Sequence, residues 1–555
     1  MQNPTEVTDL DGVTSHISKC VHEYLSKVVC MPTHNLKVLK RTTDLKKGDF
    51  SVALQKVNDQ VGISDDISPA LMTQSQSLGL PIRSYRYDAK GGFLYITLER
   101  AVIFKSLLAK VSEYGTEFGC KKDINNSIEM VVHIPVEWQS DGQMNLDQVR
   151  AILLSQHASL LLQNAGHKVH DVQYNCPEPV NKLIKLYLNK DNKSDENKST
   201  VSLEEDMKAL FEKCLNSKCA EKCKDGGTGT VINLKSYSEE ISDLNGGFDK
   251  NIQYAKFDSW NDTKLKQVAE LSASYKTFQN DLHCIHIVAQ KQAYSQQQVD
   301  LIWSMLEDNT SHHIEQSHFV YRGVASRCNR NSGGGHNTMP NAQQFYNLRF
   351  NQMKESTIMK YGNIAKGEKW ESMMHELTSA AIKFEMLTTV PSNMVKLDLS
   401  EQTDKGGPMD NKGGSFVLYN CARLSTLFQH FHSNVAAGVY PPLPDLDSID
   451  WSLLKDEEEW SLLFNYVMSY PSIVQQAIAP LHKGIHSQIQ THKICNFLLH
   501  MARDMSSYYS RVHILSEARP HLLPLMHSRL HLMKGLQQVM HNALSLLNIQ
   551  PPTQM

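Results

Sequence analysis

The chain of 555 residues contains no uninterrupted apolar run of about 18 residues, so we expect no membrane-spanning helix. Its first residues, MQNPTEVTDLDG, lack the basic-then-apolar order of a secretory signal. The eleven cysteines are scattered along the chain, which favours free thiols in a reducing compartment. These absences together predict a cytoplasmic protein without a membrane partner.

The sequence also lacks the common motifs of catalysis and metal binding. It has no P-loop, no Gly-x-Gly-x-x-Gly, no nucleophile elbow and no His-Glu-x-x-His. Cys214, Cys219 and Cys223 do not have the paired spacing of a zinc site, and ordinary helix residues fit the pattern better. The histidines at 312, 313 and 318 form no convincing ligand set either. We therefore expect neither a metal nor a cofactor.

Strongly one-sided charge is a further absence. The formal net charge is -3, so the chain is not uniformly basic, and a nucleic-acid surface would have to be local. Apolar residues make up 41% and charged residues 21%, as in ordinary globular proteins. The length allows two to four domains.

The hydrophobic pattern alternates between strand and helix in the middle of the chain. Residues 130–136 (MVVHIPV) predict a buried strand, residues 146–165 a helix ending before Gly166, and residues 169–174 a second strand. Residues 284–289 (CIHIVA) predict another buried strand. A strand, helix, strand order in so short a stretch indicates a parallel sheet of the Rossmann type.

The C-terminal hundred residues differ, because apolar residues recur there at spacings of three and four with little strand character. This pattern predicts an all-helical domain. From Leu462 onward the local charge balance is +5. Such a balance suits a phosphate backbone, and aromatic rings can stack on unpaired bases. The candidate RNA-binding residues are therefore Lys493, Arg511, Arg529 and Lys534 with Tyr508 and Tyr509. A mildly basic solvated surface and a Tyr-Tyr pair packed in the core remain the alternative.

Several segments resemble the arginyl-tRNA synthetases. Residues 505–515 (MSSYYSRVHIL) and 527–549 (HSRLHLMKGLQQVMHNALSLLNI) are similar to the DALR-type anticodon-binding domain of that family. Residues 413–428 (GGSFVLYNCARLSTLF) resemble a family helix that packs below the active site. Residues 46–55 (KKGDFSVALQ) and 91–98 (GGFLYITL) resemble the N-terminal extra domain, which touches the tRNA elbow in that family.

The resemblance implies an α/β plus all-α protein of three domains. Residues 1–120 would form the N-terminal α+β extra domain. Residues 121–440 would form a degenerate class I synthetase-like domain with a Rossmann-type parallel sheet. Residues 441–555 would form the DALR-type helical bundle that binds the anticodon region.

The active-site signatures of the family are not reproduced. After the first strand the family has a lysine and then a His-x-Gly-His motif, which hold ATP phosphates and stabilise charge. Here Gly142 stands in place of the lysine, Asn145 and Gln148 in place of the two histidines, and Asp147 in place of the glycine. A carboxylate repels triphosphate oxygens, so we expect no aminoacylation.

The second family signature is a lysine-rich mobile loop that should follow His318. The chain has no lysine between Lys291 and Lys354. Arg322, Arg327 and Arg330 are present there, but they do not reproduce the pattern.

Residues 382–387 (IKFEML), 416–424 (FVLYNCARL) and 508–522 (YYSRVHILSEARPHL) resemble a non-catalytic, arginyl-tRNA synthetase-like family of animal proteins. This resemblance implies a tRNA-binding adaptor that recognises particular arginine tRNAs. The adaptor would present them to a tRNA 3-methylcytidine methyltransferase of the methyltransferase-like family, which acts in the anticodon loop. The alternatives are a synthetase-like enzyme with a residual nucleotide or small-molecule site, an arginyl-tRNA synthetase with an atypical active site, and a protein scaffold that no longer binds RNA.

Overall fold

The computed structural model of the chain describes residues 40–42, 44–53, 81–88, 91–120, 128–135, 138, 142–171, 176–188, 200–222, 230–240, 248–249, 251–275, 282–306, 314–327, 339–361, 367–399, 413–478 and 485–552. Cys223, His312, His313 and Arg330 lie outside these ranges, as do residues 1–12, 54–55, 136 and 172–174 of the segments considered in the sequence. No helix in the described ranges is both long enough and apolar enough to cross a membrane.

The N-terminal part of the described chain is an antiparallel sheet with one helix. The sheet order is β1-β2-β4-β3, with strands β1 (Lys40–Arg41), β2 (Phe50–Ala53), β3 (Ile82–Asp88) and β4 (Phe93–Leu98). Alternate residues of β4 are buried, because successive side chains of a strand leave toward opposite faces. The buried residues join the core that helix α1 (Arg100–Tyr114) also enters, so the opposite face of β4 points outward.

The first half of the parallel sheet follows the order predicted from the sequence. Strand β5 (Glu129–His133) leads to helix α2 (Leu146–Asn164), strand β6 (Lys168–Asp171) and helix α3 (Glu178–Leu188). Strands β5 and β6 pair in parallel. The helix predicted over residues 146–165 is confirmed to within one residue.

A small unit is inserted next, and its apolar core is shared with residues of the parallel sheet and of the later helix at 293–306. It consists of helix α4 (Thr200–Leu215), strands β7 (Ala220–Lys222) and β8 (Thr230–Asn233), helix α5 (Leu234–Glu240), strand β9 (Tyr254–Phe257) and helix α6 (Thr263–Tyr275). The three strands are antiparallel. Cys214 and Cys219 are buried free thiols, and burial raises the pKa of Cys214 to about 12, so this thiol stays protonated.

The chain then returns to the parallel sheet with β10 (Leu282–Ala289), helix α7 (Ala293–Leu306) and β11 (Ile314–Tyr321). The sheet order is β11-β10-β5-β6. All eight residues of β10 are buried, as expected of a central parallel strand covered by helices on both faces. The predicted combination of a parallel sheet with a helical C-terminal region is confirmed.

A second, short parallel pair lies beyond the sheet. Strand β12 (Val324–Ser326) precedes helices α8 (Ala342–Tyr361) and α9 (Glu368–Leu387), and it pairs with strand β13 (Val395–Leu397). Helix α10 (Gly414–Ala436) follows. The C-terminal region contains helices α11 (Glu457–Leu462), α12 (Tyr470–Ile478), α13 (His492–Arg511) and α14 (Leu523–Leu546).

The helical region is fastened to both other parts of the molecule. The backbone amide of His318 in β11 donates to the carbonyl of Ile485 at 2.6 Å, and the amide of Ser487 donates to the carbonyl of His318 at 2.9 Å. On α14, the Asn542 side-chain amide donates to the carbonyls of Gly115 and Phe118 at 2.9 and 3.1 Å. Backbone hydrogen bonds at one contact and a buried amide at the other fix where the helical region sits.

Candidate nucleic-acid interface and active-site edge

The first turn of α2, whose sequence we align with the His-x-Gly-His motif, is capped by this chain's own side chains. Asn145 is the N-cap residue, and its side-chain oxygen accepts from the amide of Gln148 at 3.0 Å. The Gln148 side chain in turn accepts from the Asn145 amide at 2.8 Å. This capping box satisfies two donors that a helix N-terminus otherwise offers to an anion.

The Asp147 carboxylate lies at the same end of α2 and makes two contacts with other parts of the chain. One carboxylate oxygen accepts from the backbone amide of Val324 at 2.8 Å, and the other is 3.2 Å from the Lys291 ammonium. Gly323 packs so closely on this carboxylate that a side chain at 323 would overlap it. The carboxylate thus places a negative charge in the first turn of α2, where it favours the positive end of the helix dipole.

Gly142 adopts a left-handed backbone conformation with φ of +71°. A side-chain carbon at this position would meet the ring of Pro179 at 3.4 Å. A lysine here would therefore be strained in this backbone. The four substituted positions consequently form a consistent local structure that provides a cap, a carboxylate and a tight turn.

Arg150, one turn further along α2, is fully buried, and its guanidinium donates to backbone carbonyls. The acceptors belong to two short segments, residues 322–323 and residues 389–393. Burial lowers the pKa of Arg150 to about 10, so it remains charged at neutral pH. The arginine holds the chain beside β12 and the turn before β13 in one fixed arrangement.

His318, which has no convincing ligand set in the sequence, belongs to a buried row of histidines. His133, His286 and His318 lie opposite one another on three neighbouring strands. The Nδ1 atoms of His133 and His286 are 2.9 Å apart, and His318 bonds to the buried carboxylate of Asp300. Within the described residues no group of three or more histidine, cysteine or acidic side chains has metal-binding geometry.

Two of the candidate RNA-binding residues take part in one buried polar network, and for Tyr508 this burial corrects the sequence-based expectation of a base-stacking ring. Tyr508 is 1% exposed, and its hydroxyl donates to the buried carboxylate of Glu459 at 3.0 Å. Arg529 is half-buried, with its Nε 2.7 Å from the same carboxylate and its Nη2 3.1 Å from Asp456. The buried Tyr508 ring is not available for stacking on a base, and the Arg529 guanidinium is engaged by two carboxylates.

The other candidates face solvent to different degrees. Arg511 is exposed and paired with Glu458 at 2.6 Å, a surface contact that a phosphate can replace. Lys534 is exposed on α14. Lys493 is half-buried and donates to Gln476 at 2.8 Å. Lys493 and Arg511 are at opposite ends of α13, about 27 Å apart along the helix axis, so the candidates do not form a single cluster.

Tyr509 has a partner that the sequence interpretation missed. The Arg423 guanidinium of α10 lies over the Tyr509 ring, with its central carbon 3.8 Å from the ring centroid. Both side chains are half-buried, so part of the stack is open to solvent. The sequence did contain one indication of Arg423, the Ala-Arg pair within FVLYNCARL. This pair resembles a family helix, but it does not show that the arginine meets Tyr509 on α13.

The outer face of the N-terminal sheet presents a second group of this kind. Arg86 on β3 lies opposite Tyr95 on β4, with its guanidinium carbon 5.7 Å from the ring centroid. The Tyr95 and Phe93 rings are 6.2 Å apart, and Phe93 is 38% exposed. An arginine with two aromatic rings on an open sheet face is suited to contact unpaired bases.

Comparisons with known proteins agree with this architecture. Residues 417–555 match the family model of the DALR anticodon binding domain. The solved structure of Thermus thermophilus arginyl-tRNA synthetase has a TM-score of 0.56 and 16% identity, and the match covers 98% of this chain and 100% of the other. The chain therefore has an arginyl-tRNA synthetase-like fold.

Two vertebrate proteins are similar along most of their length. The DALR anticodon-binding domain-containing protein 3 of Mus musculus is 31% identical over 475 residues, which is 82% of this chain and 84% of that protein. The protein of the same name from Danio rerio is 30% identical over 519 residues, or 89% and 88% of the two chains. With this identity and coverage, the chain belongs to the DALR anticodon-binding domain-containing protein 3 family.

Proposed function

We propose that this chain is a non-catalytic, cytoplasmic tRNA-binding adaptor. It would recognise specific arginine tRNAs and present them to a tRNA 3-methylcytidine methyltransferase that acts in the anticodon loop. The proposal rests on two observations. The chain has a DALR anticodon-binding domain, and the N-terminus of α2 is capped by Asn145 and Gln148, with the Asp147 carboxylate beside it. Such a molecule keeps an RNA-binding domain and lacks the groups that bind ATP.

The loss of catalysis is supported by charge and by space. An ATP phosphate at the start of α2 would meet the Asp147 carboxylate and would find the Asn145 and Gln148 donors already engaged. A phosphate and the Asp147 carboxylate are like charges and repel each other, and the neighbouring Lys291 ammonium offsets part of this repulsion. No neighbouring substitution returns the imidazoles or the lysine of the family motif.

Binding of tRNA is supported by two separate surfaces. The half-open stack of Arg423 on Tyr509 lies in the DALR region, and the group of Arg86, Tyr95 and Phe93 lies on the N-terminal sheet. In the resembling synthetases the corresponding domains contact the anticodon region and the tRNA elbow. A tRNA that spans both surfaces would be bound at its elbow and in its anticodon region, with the anticodon loop near the C-terminal helices.

The first experiment measures tRNA binding directly. Purified full-length chain is titrated into labelled arginine tRNAs and into a non-arginine tRNA of equal length, at salt concentrations from about 50 to about 200 mM. The proposal expects tighter binding of particular arginine tRNAs and a steep loss of affinity with salt. No measurable binding of any tRNA would favour the scaffold alternative, and equal affinity for all tRNAs would contradict the recognition of arginine tRNAs.

The second experiment measures the effect on methylation. The purified methyltransferase is incubated with an arginine tRNA, with and without the chain, and 3-methylcytidine is quantified by mass spectrometry of the digested RNA. The proposal expects methylation of arginine tRNAs to depend on the chain. A methyltransferase that modifies them equally well alone would contradict the presenting role.

The exposed cations Lys291 and Arg322 beside α2 are the features that favour the enzymatic alternatives. An enzyme with a residual nucleotide site, or an atypical synthetase, would bind ATP with magnesium. Isothermal titration of the chain with ATP and magnesium separates these alternatives from the adaptor. Tight, magnesium-dependent binding would contradict the proposed loss of chemistry.

A further inference from the structure

An exposed apolar pair lies at the carboxyl edge of the parallel sheet, beside the end of β11. Val390 is 37% exposed and Met394 is 46% exposed. The two residues flank a turn in which the Asn393 amide donates to the Val390 carbonyl at 2.8 Å. We use the term edge patch for this surface, which comprises Val390, Met394, Lys291, Arg322, Arg327 and Lys396.

Cationic residues lie on the chain segments beside this apolar pair. The Arg322 amide donates to the Pro391 carbonyl at 2.9 Å, which places the exposed Arg322 beside the turn. Lys396 is the exposed residue of β13, and Arg327, also exposed, donates its amide to the Leu397 carbonyl at 2.8 Å. Lys291 adds a fourth positive charge and is paired with Asp147. The edge patch therefore has an aliphatic centre and a positive rim.

The edge patch is rigid, although part of it is a turn. The buried Arg150 guanidinium donates to the carbonyls of Val390 and Asn393 in the turn, and to those of Arg322 and Gly323 beside β12. The parallel pairing of β12 with β13 also holds these two segments together. A surface held in one conformation loses little entropy on binding, which increases its affinity for a complementary partner.

We propose that the edge patch docks a protein whose contacting surface is apolar at its centre and acidic at its rim. Protein interfaces typically have a desolvated apolar core within a polar rim, with methionine and arginine enriched. Single-stranded RNA instead binds where aromatic rings stack on its bases, and the centre of the edge patch is aliphatic. The charge of the rim selects the acidic partner.

This inference rests on the proposed function, because we take the docked protein to be the methyltransferase that receives the tRNA. The edge patch is formed by residues between 291 and 396, whereas the two proposed RNA surfaces are formed by Arg423 with Tyr509 and by Arg86 with Tyr95 and Phe93. An enzyme docked here would leave those surfaces available to the tRNA. The edge that no longer accommodates a nucleotide would thereby serve as a protein interface.

The experiment measures association and dissociation of the purified methyltransferase on immobilised full-length chain, without RNA. The double variant Arg327→Glu/Lys396→Glu should lower the association rate by about tenfold at low salt, with a smaller effect at high salt. Met394→Ser should mainly raise the dissociation rate. Lys213→Glu on α4 is the matched control, since it reverses an exposed charge on the inserted unit and should change neither rate.

The same variants are tested for thermal unfolding and for binding of arginine tRNA. The proposal requires unchanged melting and unchanged tRNA affinity together with weaker methyltransferase binding. Unchanged methyltransferase binding in both edge variants would overturn the edge patch while the adaptor function stands. Loss of tRNA affinity with intact methyltransferase binding would make the edge patch an RNA contact and overturn it too. If the unmodified chain binds no methyltransferase, the proposed partnership and this assignment both fail.

Discussion

The Arg423 guanidinium on α10 lies over the Tyr509 ring on α13 at 3.8 Å, and the stack is partly open to solvent. The neighbouring Tyr508 ring is buried and donates to Glu459. Two adjacent tyrosines thus have opposite roles. The difference arises because consecutive residues of a helix leave its axis in directions about 100° apart.

This contrast gives the first prediction. Tyr509→Leu should weaken binding of arginine tRNA, because stacking of a base on an aromatic ring is worth about 1–3 kcal/mol, or roughly 5- to 150-fold in Kd. Arg423→Met should weaken it as well, by removing the cation that orders the ring. Gel-shift titration measures both. Tyr508→Phe is the control, and an equal loss of tRNA affinity in that variant would argue against the assignment.

Arg529 offers a second prediction, concerning stability. Its guanidinium and the Tyr508 hydroxyl both donate to one oxygen of the buried Glu459. Arg529→Met leaves this carboxylate with an unpaired charge, and breaking a buried ion pair costs about 3 kcal/mol or more. Urea denaturation should show this loss, and Arg529→Met/Glu459→Gln should recover part of it. Undiminished stability with weakened tRNA binding would instead restore Arg529 as an RNA contact.

Asp147 provides a third prediction. Asp147→Ala removes the acceptor of the Val324 amide and should cost about 1–3 kcal/mol of unfolding free energy. Asp147→Asn keeps an acceptor oxygen and should cost less. Neither variant should gain ATP-dependent pyrophosphate exchange with arginine, because Gly142, Asn145 and Gln148 still lack the cation and imidazoles of the motif. Exchange above background in either variant would mean that the carboxylate alone blocks the chemistry.

The fourth prediction concerns acid stability. His157 on α2 is buried, and its ring nitrogens are 2.6 Å from the Leu546 carbonyl and 3.0 Å from the Thr491 carbonyl. Burial lowers the pKa of His157 to about 4, although both carbonyl contacts raise it. The unfolded histidine titrates near pH 6.5, so between these values the unfolded chain binds a proton that the folded chain does not. The contribution of His157 to the free energy of unfolding is therefore fully present above pH 6.5 and is lost as the pH falls toward 4.

The expected contribution of His157 is about 3 kcal/mol over that pH window. Urea denaturation of His157→Gln at several pH values between 4 and 7 should show a shallower decline of stability than the unmodified chain. The exposed His500 is the matched control, and His500→Gln should keep the original slope. Identical slopes in all three proteins would show that His157 is not a titrating group of this window.

The sequence predicted the elements that depend on local pattern. The apolar spacing of residues 146–165 located α2, and the β-branched run of residues 130–136 located β5. The degenerate motif stays a prediction, because it rests on a comparison of residue types with the pattern of the resembling family. The all-helical C-terminal region follows equally from spacing alone.

Properties that depend on distant partners could not be predicted. Nothing near Tyr508 in the chain shows that its hydroxyl meets Glu459, 49 residues earlier. Likewise the acceptor role of Asp147 depends on Val324, 177 residues later. The same limit concealed the Arg423 partner of Tyr509, since α10 and α13 meet only in the folded molecule. Long-range packing decided which aromatic and basic residues are open to RNA.

The contact of Asn542 with Gly115 and Phe118 has a consequence for selection among tRNAs. Because α14 is bonded directly to the end of the N-terminal domain, the two proposed RNA surfaces are held at a set separation. Two surfaces at a set separation would select a tRNA by the distance between its elbow and its anticodon loop. A tRNA whose elbow and anticodon loop are spaced differently would reach one surface and miss the other, so tRNA shape would contribute to discrimination along with base identity.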